Sequence, residues 1–157
     1  MQNHAESQFV TKDGLEKLKK ELKELIDIKR PEIAQRIKVA RENGDISENA
    51  EYDAARQEQA FVEGRISELE EIVKTAKVSD VKTAKKDEVY VGSKVTVHID
   101  GDKEIFYIVG APEANPMQKK ISHESPLGAA LLGKKVGEII EVEVPVGRLK
   151  YKILSIE

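Results

Sequence analysis

Leu15, Leu18, Leu22 and Leu25 recur at steps of three, four and three, and Ile33, Ile37 and Ala40 resume the stripe further on. Apolar residues at that spacing share one face of a helix, and with polar residues between them they form a heptad-like seam. Thr11 is the expected N-cap, with Lys12, Asp13 and Gly14 in the first turn. Pro31 interrupts the pattern. A proline inside a helix removes a backbone donor and clashes with the preceding turn, so a kink or short break is expected near Lys29–Arg30. A second seam follows the glycine at 44: Val62, Ile66, Leu69, Val73 and Ala76. Either stripe alone would expose an apolar face to water. Joined by a turn at Gly44 they bury each other as an antiparallel αα-hairpin. Arms of ~30 residues would be ~45 Å long.

The second half changes period. Lys77 to Glu88 is polar and lysine-rich and reads as a linker. Val89, Val91, Val95, Val97 and Ile99 then alternate with other residues, as in a strand. Asp100-Gly101-Asp102 is a hairpin-turn signal, and Glu104 to Val109 a returning strand. Ser125 to Gly133 predicts a short helix opened by Ser125-Pro126 and closed by Gly133. Ile139 to Val144 and Leu149 to Ile156 predict two more strands. The whole is an α+β chain: a helical hairpin over residues 1–77, and over 78–157 a small, mostly antiparallel sheet with one short helix.

Charge sharpens the first half. Residues 11–43 carry ten Lys/Arg against seven Asp/Glu, and residues 44–76 carry three against nine. A basic arm beside an acidic one favours their antiparallel pairing, although two ordinary solvated helix faces would have the same composition. The net charge of -3 provides no global basic field to hold a nucleic acid by counterion release. With no cysteine, disulfides, thiolate zinc sites and cysteine nucleophiles are excluded. The N-terminal residues are polar and the longest apolar run, Leu127 to Leu132, is far too short to span a bilayer, so a cytoplasmic protein without a membrane partner is expected.

Candidate chemistry concentrates at the turn between the arms, Gly44-Asp45-Ile46-Ser47-Glu48-Asn49-Ala50-Glu51-Tyr52. Asp45 and Glu48 place two carboxylates at the hairpin tip. Hard cations such as Mg²⁺ prefer oxygen ligands; two carboxylates are too few for a tight cage but enough to help hold an ion that a second macromolecule also ligates. The same spacing, with a helix starting near Ser47, also fits a capping box in which the carboxylates serve the helix N-terminus. Glu51 and Asp53 add more acid than a cap needs. Arg41 and Arg56 flank the turn as candidate phosphate contacts. Tyr52 offers a plane for stacking on a base or for packing at the turn. His4, His98 and His123 have no partners at metal-ligand spacing and read as structural or surface residues; no phosphate-cradling glycine loop and no serine elbow occurs.

These runs, with Phe9 to Leu18, Arg30-Pro31-Glu32-Ile33, Ala40 to Tyr52, Glu63-Gly64-Arg65-Ile66 and Ser125 to Lys134, resemble the bacterial Gre transcript-cleavage factors from about Phe9 to Ile156. The resemblance implies an N-terminal coiled coil that enters the secondary channel of bacterial RNA polymerase, and an FKBP-like C-terminal domain that docks near the channel mouth. It implies that Asp45 and Glu48 help hold a Mg²⁺ ion shared with the polymerase aspartates, against the extruded 3′ end of nascent RNA. Arg41 and Arg56 match positions beside the tip, where RNA contact is the implied role; Asn49, Glu51 and Tyr52 match the tip itself. An accessory factor, working as a monomer and completing another enzyme's cleavage site, is the expectation. Alternatives are a channel-binding inhibitor of polymerase, an FKBP-type prolyl isomerase with a helical appendage, and a coiled-coil adaptor whose tip is only a cap.

Overall fold

The computed structural model describes residues 8–45, 49–79, 85 and 87–157. The chain forms two compact units: Leu15–Lys74 is one, and the chain on either side of it makes the other.

The first unit is the helical arm. Helix α1 (Lys12–Glu24) starts where expected, with the Thr11 hydroxyl accepting from the Gly14 N–H at 3.0 Å. Leu25–Lys29 then form a π-helical turn, in which the Arg30 N–H reaches the carbonyl of Leu25, and α2 (Arg30–Glu42) continues with Pro31 in its first turn. The wider turn relieves the clash that the Pro31 ring would make with the carbonyl four residues back. It also contains one residue more than an α-turn. The seam registers this: a strict heptad from Leu25 would continue at residue 32, whereas the buried positions are Ile33, Ile37 and Ala40. The expected interruption is therefore a change of helical phase rather than an end of the helix.

The chain returns as α3 (Ala50–Thr75), an uninterrupted helix burying Ala55, Val62, Ile66, Leu69 and Ile72. Ile72, not Val73, is the buried residue near its end, and Ala76 lies beyond the helix. Ile33, Ile37, Ala55, Val62 and Ile66 form one core cluster, with Leu22, Leu25, Ile26 and Tyr52 packed against it. Ion pairs cross between the arms. Arg30 grips Glu63 in a bidentate pair at 2.7 and 2.8 Å, Arg36 meets Glu58, and Arg65 holds Glu21 at 2.7 and 3.1 Å. These side chains remain partly exposed, so they set register and partner choice more than stability.

Gly64 lies inside α3 with open space where a Cβ would stand. Helix-interior glycine costs about 1 kcal/mol relative to alanine. Gly64→Ala is expected to raise the melting temperature by ~2–4 °C, read from the helical circular-dichroism signal.

The second unit is built on a mixed sheet. A short parallel pair, β1 (Phe9–Val10) with β2 (Lys77–Val78), ties the chain before α1 to the chain after α3. Val10 is fully buried there. The larger sheet contains β3 (Lys94–Ile99), β4 (Asp102–Val109), β5 (Lys120–Ser122), β6 (Ile139–Val144) and β7 (Gly147–Ile156) in the order β5-β4-β3-β7-β6. All neighbours are antiparallel except β4 and β5. At the predicted hairpin, Asp100 and Gly101 have φ of 50° and 94°, both positive as a two-residue type I′ turn requires. Helix α4 (Pro126–Leu131) is capped by the Ser125 hydroxyl, which accepts from the Gly128 N–H at 3.1 Å.

Val95, Val97, Phe106, Ile108, Ile140, Val142, Tyr151 and Ile153 point to one side of the sheet and pack with Val89 and Leu131. Phe106 and Tyr151 meet edge to face at 6.4 Å in this core. Burial pushes the Tyr151 phenol above its ordinary pKa, with Glu104 and Asp100 adding to the effect. Two differences from the sequence pattern stand out. Val89 and Val91 precede the strand instead of starting it, because a turn at Tyr90–Ser93 intervenes; buried Ser93 donates to the Tyr90 carbonyl at 2.6 Å. The second concerns His98: the sequence alternation is not strict enough to assign its face, whereas within β3 Val95 and Val97 are buried and His98 is exposed on the opposite side. His123 is half-buried against Phe9, with ring centroids 5.8 Å apart. His4 lies outside the described residues, as do Asp80–Ala84 and Lys86 of the expected linker.

Candidate functional site

The tip of the arm is built by the way the two helices end and begin. Helix α2 closes with the Asn43 N–H on the Val39 carbonyl at 3.1 Å, and the chain passes through Gly44 to Asp45. Helix α3 opens at Ala50, later than Ser47, with Asn49 as its cap: the Asn49 Oδ1 accepts from the Tyr52 N–H at 3.2 Å. The Asn49 side-chain amide also donates to the Ala40 carbonyl at 2.8 Å. One asparagine thereby satisfies an orphan donor at the start of α3 and an orphan carbonyl near the end of α2. Asp45 lies four residues before this cap and is not the capping residue of α3. Glu48 lies outside the described residues.

The remaining tip residues follow from the same geometry. Glu51 and Asp53 occupy the first turn of α3, where the helix dipole favours negative charge. That placement accounts for Asp53, which the tip chemistry did not require. Tyr52 is half-buried against the arm's core, and the Arg41 guanidinium sits over its ring at 5.7 Å. This cation–π contact links the two arms one turn from the tip. Arg56 is exposed one turn further along and donates to the Gln59 side chain at 2.8 Å.

A cavity of about 590 Å³ opens beside the tip, with Asp45, Asn49 and Glu51 on one side and Gln35, Val39 and Asn43 on the other. The structure thus gathers Asp45, Asn49 and Glu51 at one cavity, pairs Arg41 with Tyr52, and leaves Arg56 apart. The α2 wall, Gln35, Val39 and Asn43, was not singled out from sequence. Its signal is the spacing of four along one helix face, adjacent to the buried seam. Among the described residues no group of three or more His, Cys, Asp or Glu side chains is placed to hold a metal ion by itself. No helix among them is long and apolar enough to cross a membrane.

Asn49→Ala should destabilise the arm by about 2 kcal/mol, since cap and carbonyl partner are lost together. Asn49→Asp, which keeps the acceptor and loses the donor, should fall between it and the native chain. Urea unfolding followed at the helical signal measures both.

A two-helix arm with this tip, followed by a mixed-sheet unit, is matched along its length by one family. Residues 8–78 match the N-terminal domain of transcription elongation factors and residues 84–157 the GreA/GreB C-terminal domain, and the chain belongs to this family. Within it the chain is of the GreA type. It is 54% identical to GreA of Thermoanaerobacter pseudethanolicus over 94% of this chain and 96% of that one. It is 56% identical to GreA of Caldanaerobacter subterraneus subsp. tengcongensis with the same coverage, 94% and 96%. Among solved structures, GreA factor homolog 1 (Gfh1) of Thermus thermophilus is 29% identical, covering 95% of this chain and 97% of that one, with a TM-score of 0.44.

Proposed function

We propose that this chain is a transcription elongation factor that enters the secondary channel of bacterial RNA polymerase and stimulates endonucleolytic cleavage of backtracked nascent RNA. The observation that carries this is the match of both halves of the chain to one elongation-factor family, joined to an arm whose tip presents Asp45. The helical arm within residues 1–77 and the sheet unit, whose larger sheet lies within 78–157, divide the work. The first carries the tip to the RNA 3′ end, and the second docks on polymerase. The second is a sheet packed on one short helix; its FKBP-like character is what the family resemblance implies.

The donor set at the tip suits Mg²⁺, because carboxylates are hard oxygen ligands. Asp45 and Glu48 would hold the ion together with the polymerase aspartates, so that neither protein completes the site alone. Such an ion, when bound, polarises phosphoryl oxygens and activates a water. The chain's own residues supply position. Asn49 fixes the entry to α3 and so the place from which Asp45 acts. Arg41, held over Tyr52, and Arg56 offer cations to RNA phosphates. Glu51 borders the cavity that gives RNA room beside Asp45. Two of the sheet unit's aromatics, Phe106 and Tyr151, are core residues, which weighs against an isomerase cleft lined by them.

In this reading the chain is a cytoplasmic, monomeric accessory factor with no turnover of its own. The test adds it to stalled, backtracked bacterial elongation complexes. Release of short RNA 3′ fragments is the expected result. Binding without release would replace the reading with a channel-blocking inhibitor; absence of binding would replace it with the adaptor or isomerase.

A further inference from the structure

Helix α4 packs on the valine side of the five-stranded sheet, where Leu127, Ala130 and Leu131 join the core. The opposite side of the strands faces solvent. Register places Lys103 of β4 across from His98 of β3, and His98 across from Lys152 of β7. All three are exposed. With strands about 4.8 Å apart, two lysines stand roughly 10 Å from one another with an imidazole between them.

Elsewhere on this face opposite charges are matched. Lys150 lies 3.2 Å from Glu141, Arg148 is directly across from Glu143, and Lys94 reaches Glu157 at 2.6 Å. The Lys103–His98–Lys152 row contains no carboxylate, and its last cross-strand neighbour is Ile139. Of the nearest acids along the chain, Glu104 lies across from Val97 on the valine side and pairs with Lys119 at 2.7 Å, while Asp100 and Asp102 lie where β3 turns into β4. Lys103 and Lys152 flank His98 with no anionic side chain in the row, so an anion lying across it would meet two ammonium groups. Beside the row, Ile105 and Tyr107 are each 42% exposed on the same face, next to Thr96 and Lys94.

We propose that this sheet face binds single-stranded RNA, with Lys103, His98 and Lys152 on the phosphates and Tyr107 beneath a base. Charge complementarity selects a polyanion, and the aromatic plane beside the cations favours a nucleic acid over an acidic protein surface. The proposal goes beyond the cleavage function, since it places a second RNA contact in the unit that does not carry Asp45.

The test uses the intact chain and a fluorescein-labelled oligouridylate of roughly 12 nucleotides, by anisotropy at about 50 mM salt. Lys103→Glu with Lys152→Glu is expected to weaken binding about 10-fold or more and to reduce the slope of log affinity against log salt by about 1.4, two phosphate contacts on a single strand. Tyr107→Ala should weaken it about 5-fold. The same charge change on α1, Lys19→Glu with Lys23→Glu, should alter affinity less than about two-fold. Equal losses from both charge reversals would overturn the proposal. So would an acidic peptide of similar length that binds as tightly as RNA. RNA cleavage by stalled polymerase is measured separately with Lys103→Glu/Lys152→Glu. Stimulated cleavage with no RNA binding at the sheet would remove this proposal and leave the proposed function standing.

Discussion

Asp45→Asn combined with Glu48→Gln is expected to reduce stimulated RNA cleavage about 100-fold or more while leaving polymerase binding within about two-fold. The replacements keep the size of each side chain and a carbonyl oxygen, and remove only charge. A neutral amide is a poor ligand for a hard dication in competition with water. Loss of an outer-shell partner alone typically costs 10- to 100-fold at a metal site, so losing two direct ligands should exceed that range. The cap of α3 is Asn49 and not Asp45, so the substitutions leave that cap in place. Fragment release and competition binding, measured on the same stalled complexes, separate the two effects. If the doubly substituted chain still stimulates cleavage, the tip carboxylates do not hold the ion.

The second large effect is structural. Gly110→Ala should destabilise the sheet unit by about 3 kcal/mol, lowering its melting temperature by ~6–12 °C. A Cβ at Gly110 would stand 1.7 Å from the carbonyl oxygen of Phe9 and 3.0 Å from the Cα of Val10. Both are backbone atoms of β1, which cannot rotate aside. The strand would have to leave its pairing with β2 and uncover Val10. Gly64→Ala is the internal contrast, a glycine with open space above it, and the two substitutions should move stability in opposite directions. A melting curve for Gly110→Ala that matches the native one would mean that β1 does not press on this loop.

Much of this architecture is legible without coordinates, for reasons that differ by element. The arms show because a seam must recur every three or four residues to stay on one face. The Asp100-Gly101 hairpin and the Ser125-Pro126 helix start show because few residues tolerate those backbone geometries. Strands β1, β2 and β5 are two or three residues long and have no periodicity to display. Their pairing is decided by chain that is distant in sequence. The stop at Tyr90–Ser93 is hidden because Val89 and Val91 fall in phase with the valines of β3 by coincidence. At the site, the acidic tip is obvious from composition. The double role of Asn49 is not, since its second bond goes to Ala40 on the other arm. Pro31 announces an interruption near Lys29–Arg30, but not that the turn there holds one residue more than an α turn.

That extra residue has a bearing on how the arm tolerates change in length. Adding or deleting one residue elsewhere in either helix would turn every later seam position by about 100°, carrying apolar side chains into water. Between Leu25 and Lys29 a deletion would exchange a π turn for an α turn and keep the seam in phase, at the cost of the Pro31 clash that the wider turn relieves. Helix α3, continuous along its partner, sets the measure against which such a change is read. The arm therefore has one place where its chain can be shortened by a residue without the tip losing its facing, and Pro31 marks it.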